Sequence, residues 1–139
     1  MTNDQQKRPK SMPSDVASWL QSELDRVEQI AQAAAVADGP VWTYNPGDYW
    51  IISGSGGGPL VYDEGTPTGP QARHISLWDP QSVLRRVAAD RRILAEHKIV
   101  RVLGWAADWQ DSCAICGSFQ VPCRTVRLLA EGYGWEEPQ

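Results

Sequence analysis

Three cysteines and one histidine near the carboxyl end of the chain place the strongest constraint on its fold. Cys113 and Cys116 are separated by two residues, Gly117 follows directly, and Cys123 comes shortly after. Two cysteines at this spacing can turn both sulfurs onto one metal ion, and the glycine relieves the turn so that backbone amides can point at the thiolates. The pattern is that of a zinc knuckle, so we expect this part of the chain to fold around a metal.

A closed tetrahedral site needs a fourth ligand besides the three sulfurs. His97 is the better candidate because it ends a predicted helix just upstream of the cysteines. His74 is the other histidine of the chain, and Asp108 or Asp111 would be a weaker oxygen alternative. Cys123 immediately precedes a predicted helix, where unpaired amides and the positive end of the helix dipole favour the thiolate that binds metal.

The predicted site is therefore a structural Zn²⁺ held by His97, Cys113, Cys116 and Cys123. Three thiolates and one imidazole fill the coordination sphere, which leaves no position for water or substrate. The competing interpretation is three inert, partly buried thiols. A redox pair is disfavoured because Cys113 follows a turn-rich segment and lacks the strand and helix that such a motif requires. The sequence thus favours a protein that is not an enzyme.

The composition is that of an ordinary small globular domain. The chain has 139 residues, of which 42% are hydrophobic and 22% charged, and such a length is typical of one domain. We expect a flexible tail over residues 1–12 and a single small α+β domain over residues 13–139, with the cysteine cluster in residues 97–123. The basic amino terminus leads into no apolar signal region and no apolar run reaches about 18 residues, which predicts a cytoplasmic protein without membrane contact.

Helical periodicity is clearest in two segments. Apolar residues recur every three or four positions over residues 15–37, which predicts a helix. Gly39 and Pro40 follow this segment, and they are a typical helix stop and helix breaker. The second helix begins at Asp79 and Pro80, a capping residue and a first-turn proline, and ends near His97. A short helix is predicted over residues 124–131.

Strand signals fill the middle of the chain. Residues 41–44, 48–53 and 59–62 are short aromatic and β-branched runs separated by glycine-rich turns, the pattern of a small antiparallel β-meander. The sequence predicts an exposed loop over residues 63–73 and a further strand over residues 99–103. The fold class is α+β, with the meander packed against two longer helices and a short C-terminal helix beside a zinc-knuckle-like turn.

The net charge of −4 hides two oppositely charged segments. Residues 13–40 contain five acidic residues and one basic residue, whereas residues 81–101 contain six basic and two acidic residues. Such segments favour mutual docking or solvated faces over a polyanion partner. The leading interpretation is an accessory module with an unknown protein partner. The alternative is a nucleic-acid-binding module whose phosphate-facing residues are Arg85, Arg86, Arg92, Arg124 and Arg127.

Seven tryptophans supply most of the bulky aromatic groups. Core packing is the expected role of the first four, which are Trp19, Trp42, Trp50 and Trp78. Trp105 and Trp109 lie in a polar, turn-rich stretch, and for them the sequence leaves both core packing and an exposed recognition patch open.

The chain also resembles a family of short actinobacterial and actinophage proteins classed as a domain of unknown function. The likeness is carried by residues 39–42 after the first helix, residues 74–94 with His97, and residues 122–130. It extends over most of residues 16–133. The resemblance implies an intracellular bacterial or phage setting and supplies no activity.

Overall fold

The computed structural model describes residues 16–48, 52–61 and 67–137. Within these residues the chain forms four helices and five short strands in two antiparallel sheets, which confirms the α+β class. The elements are α1 Val16–Asp38, β1 Trp42–Tyr44, β2 Ile52–Gly54, β3 Pro59–Val61, α2 Gly69–Leu77, α3 Pro80–Glu96, β4 Ile99–Leu103, β5 Trp109–Cys113 and α4 Arg124–Gly132.

The chain divides into two compact units. Of the described residues, those between 23 and 91 form the central unit, and residues 16–22 and 92–137 form the terminal unit. The boundaries fall within α1 and α3. The single domain over residues 13–139 stays a prediction, and the expected tail over residues 1–12 lies outside the described residues.

A three-stranded meander forms the sheet of the central unit. The strands pair in the order β1-β2-β3, with Trp42 opposite Gly54 and Tyr44 opposite Ile52. This confirms the predicted meander, although β2 begins at Ile52 and residues 49–51 of its predicted range lie outside the description. Helix α2 packs on β1. The buried apolar side chains of this unit include Leu24, Ile52, Ala72 and Val87.

Asp79 joins the start of α3 to the sheet of the same unit. Its carboxylate accepts a hydrogen bond from the Ser82 amide at 2.8 Å, which confirms the predicted helix cap. The second oxygen accepts from the Trp42 amide at 3.2 Å, at the first residue of β1. One buried carboxylate thus satisfies two backbone donors from two elements.

The opposite charges on α1 and α3 meet through one arginine. The Arg91 guanidinium lies 2.7 Å from a carboxylate oxygen of Asp25 and 2.6 Å from one of Glu28. The hydrogen bond to Asp25 raises the pKa of Arg91, and the hydrogen bond to Glu28 adds to this effect. Desolvation lowers the pKa, but by less than these contacts raise it. Within the central unit, the acidic and basic segments therefore contact each other at this residue, which is one of the two arrangements that the sequence left open.

The terminal unit is built around a two-stranded hairpin. Strands β4 and β5 pair in register from Ile99 opposite Cys113 to Leu103 opposite Trp109. Buried apolar side chains of this unit come from both ends of the chain, among them Leu20, Val126 and Trp135. The Trp135 ring meets Trp19 edge-on, with ring centres 5.2 Å apart.

Three parts of the sequence interpretation were wrong. Residues 69–73 belong to α2 and not to a loop; the Gln71 side chain accepts from the Thr68 amide at 2.8 Å, and Pro70 falls in the first turn, where no amide donor is needed. Residues 109–113 form β5 where a turn-rich stretch was expected. Trp78 is 42% exposed instead of buried, and the Arg86 guanidinium lies over its ring, 5.5 Å from the ring centre.

The other tryptophans divide between core and surface. Trp19 and Trp42 are half-buried, and Trp50 lies outside the described residues. Trp105 and Trp109, which the sequence left open, are exposed. No helix among the described residues combines the length and the apolar character needed to cross a bilayer.

Candidate metal centre

The register of the β4–β5 hairpin brings the first two ligand residues together. His97 directly follows α3, and its amide still donates to the Ile93 carbonyl at 3.1 Å. Cys113 ends β5 opposite Ile99, two residues beyond His97. Strand pairing therefore places a helix end and a strand end side by side, although sixteen positions separate them in sequence.

A tight turn carries Cys116 back over Cys113. The Gly117 amide donates to the Cys113 carbonyl at 2.9 Å, and the Cys113 amide donates to the Ser118 carbonyl at 2.9 Å. Gly117 has a φ of +64°, a left-handed conformation that glycine adopts without cost. The Cys116 amide points at the Cys113 sulfur from 3.5 Å, as expected for the knuckle pattern.

Cys123 enters the cluster from the start of α4. It is the capping residue of this helix, with extended backbone angles and no hydrogen bond from its side chain to the helix amides. Its sulfur is thus left for the cluster. The Arg127 side chain donates to the Pro122 carbonyl at 3.1 Å, which ties the helix to the segment that precedes Cys123.

The four side chains converge on one point. His97 Nδ1 lies 3.4 Å from the sulfur of Cys113, 3.3 Å from that of Cys116 and 3.5 Å from that of Cys123. The four potential ligand atoms all lie within 4.8 Å of one another. Zn–S bonds of about 2.3 Å and Zn–N bonds of about 2.0 Å in a tetrahedron place N and S about 3.5 Å apart, so the N–S distances fit a tetrahedral ion.

Hydrogen bonding alone does not account for this arrangement. Nδ1 of an imidazole has either one proton or one lone pair, so it makes one good hydrogen bond and not three. The three sulfurs are nevertheless nearly equidistant from it. A shared cation explains such a shell, because all four atoms then face it with their lone pairs.

The surroundings of Cys113 favour the thiolate form of its side chain. Burial raises the pKa of Cys113, but hydrogen bonds from the Cys116 and Ile115 amides and from neighbouring cluster side chains together lower it to about 6. Burial and the two neighbouring sulfurs raise the pKa of Cys116, while the Thr125 hydroxyl works in the opposite direction. The turn therefore stabilises negative charge first on the Cys113 sulfur.

The cluster lies at the edge of the terminal unit. Cys113 and Cys123 are buried, His97 is half-buried and Cys116 is exposed. All three cysteines are free thiols. A metal bound here would have four protein ligands, which leaves no coordination position for a substrate.

The alternative fourth ligands predicted from the sequence do not join the cluster. His74 lies on α2, with its ring centre 6.5 Å from that of Trp78. Asp108 accepts from the Gln110 side chain, and Asp111 lies 3.8 Å from the Arg101 guanidinium. His97 completes the quartet instead.

The basic residues of the nucleic-acid interpretation are spread over both units. Arg85 and Arg86 are exposed in the central unit, and Arg92 and Arg124 are exposed in the terminal unit. Arg127 is half-buried and is paired with Glu137 at 2.7 Å. Nucleic-acid binding stays a prediction.

Sequence reasoning missed Thr125 as a neighbour of the cluster. Its hydroxyl acts on the Cys116 sulfur from the second residue of α4. The available signal was its position two residues after Cys123, which keeps it within the first helical turn.

A comparison with protein-family models gives one match, to a family described as "Family of unknown function (DUF6221)", over residues 13–134. No curated protein matches the chain, and no solved structure does. The predicted actinobacterial or phage origin stays a prediction.

Proposed function

The chain belongs to this family of unknown function, and we propose from its own residues that it is a non-enzymatic accessory module stapled by a structural Zn²⁺. In this proposal His97, Cys113, Cys116 and Cys123 bind the ion, and an exposed aromatic surface binds a protein partner. The proposed location is the cytoplasm, where a reducing environment keeps the thiols available to metal.

One observation carries the metal assignment: His97 Nδ1 lies 3.3 to 3.5 Å from all three sulfurs. Thiolate and imidazole ligands suit zinc, which accepts tetrahedral geometry without preference from its d electrons. The ion would link the end of α3, the end of β5 and the start of α4. Such a staple suits a small domain, whose core leaves a thin margin of stability.

Metal analysis of the purified protein tests the staple. We expect about one equivalent of zinc per chain, since four protein ligands fill one tetrahedral shell. Removal of the zinc by a strong chelator should lower the melting temperature, because metal binding is linked to folding. Iron in place of zinc would contradict the assignment, as would well under one equivalent of zinc with melting unchanged by the chelator.

The partner-binding part of the proposal is supported by the tip of the β4–β5 hairpin. Leu103 is 62% exposed and Trp109, opposite it in the register, is 63% exposed. Trp105, in the connecting turn, is fully exposed. Exposed aromatic groups that contribute nothing to a core are typical of binding surfaces, where tryptophan is enriched among the residues that dominate affinity.

Replacing both Trp105 and Trp109 with alanine tests this surface. The free energy of unfolding should change by less than about 0.5 kcal/mol, because both rings face solvent. Protein retained from a cell extract by the wild-type chain should be lost by the variant. Replacing the exposed Leu128 of α4 with alanine provides a control away from the hairpin, and it should retain the same protein. Equal retention by all three chains would contradict the proposed surface.

A further inference from the structure

A cavity of about 480 Å³ adjoins the histidine of the metal cluster within the terminal unit. Residues of α1, α3, β4, α4 and the segment before α4 line it. The apolar groups include Leu94, Ile99 and Val126, and Ser18 and Gln21 of α1 add polar groups. His97 and Lys98 line the same cavity. Its volume is within the range of about 300 to 1,000 Å³ that is typical of small-molecule sites.

His97 brings a hydrogen-bond donor to this cavity. Its Nδ1 faces the three sulfurs, so a metal-bound imidazole carries its proton on Nε2, which lies on the far side of the ring. A metal-binding histidine normally donates this N–H to a carboxylate, a carbonyl or a water. Among the described residues, every hydrogen bond of the His97 ring involves Nδ1, so Nε2 lacks a protein acceptor there.

Lys98 adds a positive charge to the residues that line the cavity. Its side chain is exposed, and no carboxylate in the described ranges forms an ion pair with it. A cavity with apolar walls, a cationic group and an N–H donor is complementary to a ligand that has an anionic group on an apolar chain. A carboxylate provides two acceptor oxygens, one for each donor.

We propose that this cavity binds a free medium-chain monocarboxylic acid. The carboxylate accepts from His97 Nε2 and from the Lys98 ammonium, and the acyl chain packs on Leu94, Ile99 and Val126. The inference rests on the proposed zinc function in one respect, because the metal fixes the proton of His97 on Nε2. The bound acid then supplies the acceptor that this metal ligand lacks in the protein.

Titration of octanoate into the zinc-loaded full-length protein, followed by calorimetry, tests the site. 1-Octanol has the same chain length without the charge and serves as the matched ligand. We expect octanoate to bind at least about tenfold more tightly, because hydrogen bonds to a charged carboxylate are stronger than those to a neutral hydroxyl. Equal affinity for the two compounds would overturn the proposal, as would tighter binding of a short apolar peptide with a free carboxyl end.

Two variants separate the donors from the metal. His97→Cys keeps four ligands in a Cys₄ set that zinc accepts and removes the N–H, so octanoate affinity should fall about tenfold with zinc retained. Lys98→Gln should cause a similar fall. Arg92→Gln removes an equal charge from an exposed position that does not line the cavity, and it should leave affinity unchanged. Equal losses in Lys98→Gln and Arg92→Gln would overturn the proposal.

Zinc content measured on the same samples distinguishes the two proposals. Zinc-loaded wild-type protein that does not bind octanoate overturns the carboxylate site and leaves the staple intact. Wild-type protein that contains no zinc but discriminates octanoate from 1-octanol overturns the staple and supports the cavity as an acid site.

Discussion

Replacing Cys113 with serine is expected to abolish stoichiometric zinc binding and to lower the free energy of unfolding by about 3 kcal/mol or more. Cys113 is 2% exposed. Its sulfur accepts a hydrogen bond from the Cys116 amide and lies beside His97 Nδ1. A serine hydroxyl is a poor zinc ligand, and the remaining two thiolates and one imidazole do not close the shell. Metal analysis and chemical denaturation measure the two effects.

Ala114→Ser provides the matched control for that substitution. It introduces the same side chain one position later, where residue 114 is exposed and contributes only its amide, which donates to the Lys98 carbonyl at 2.9 Å. Zinc content and stability should match those of the wild type. If Cys113→Ser kept a full equivalent of zinc and the stability of Ala114→Ser, the proposed staple would be wrong.

Gly54→Ala is expected to destabilise the central unit by about 3 kcal/mol, the upper part of the range for overpacking. A Cβ at this position would overlap the carbonyl oxygen of Asp38 at the end of α1. That oxygen belongs to rigid backbone and also accepts from the Gly56 amide at 3.0 Å. Relief therefore requires β2 or the end of α1 to shift, which thermal or chemical denaturation would detect.

Gly58→Ala tests whether this effect comes from the close approach. Gly58 lies in the turn between β2 and β3, and a Cβ there would meet no atom within 4 Å. Its carbonyl accepts from the Gly54 amide at 3.0 Å and is kept in the variant. We expect a stability change of less than about 1 kcal/mol, in the stabilising direction, because alanine restricts the unfolded chain. Equal destabilisation by both substitutions would refute the packing argument.

Helices and the cysteine cluster were predictable because strong local sequence patterns determine them. The apolar period of α1 and the Asp79-Pro80 start of α3 gave both helices to within a residue or two of their observed bounds. The cysteine spacing gave the cluster for a different reason. Three sulfurs and an imidazole gain so much from sharing one ion that their types and spacing are informative without knowledge of the surrounding fold.

Local signals failed where pairing partners decide the structure. Gly69 and Pro70 look like loop residues, yet in the first turn of α2 neither needs to donate a hydrogen bond. Strand β5 contains Gln110, Asp111 and Ser112, which have little intrinsic strand preference. Their conformation is imposed by β4 across the hairpin, and only the three-dimensional structure reveals that pairing.

The burial of single tryptophans likewise depends on whether local sequence or distant contacts determine the surroundings of the ring. Trp135, near residue 139, is 7% exposed and packs against Trp19, although no local sequence pattern predicts a buried residue there. For Trp105 and Trp109 the sequence left burial or exposure open, and the structure shows both rings exposed. Burial of an aromatic group thus depends on neighbours that are distant in sequence.

The separation of the ligands along the chain has a consequence for the order in which the metal site assembles. His97 and Cys123 are 26 positions apart, whereas Cys113 and Cys116 are three apart. Joining ends across the longer loop costs chain entropy of about 3.5 kcal/mol, by analogy with a covalent cross-link that closes a loop of the same length. The short Cys113–Cys116 chelate should therefore capture the ion first, and His97 should bind last. In the proposed site, a bound ion would then act as a reversible cross-link that restricts the unfolded ensemble.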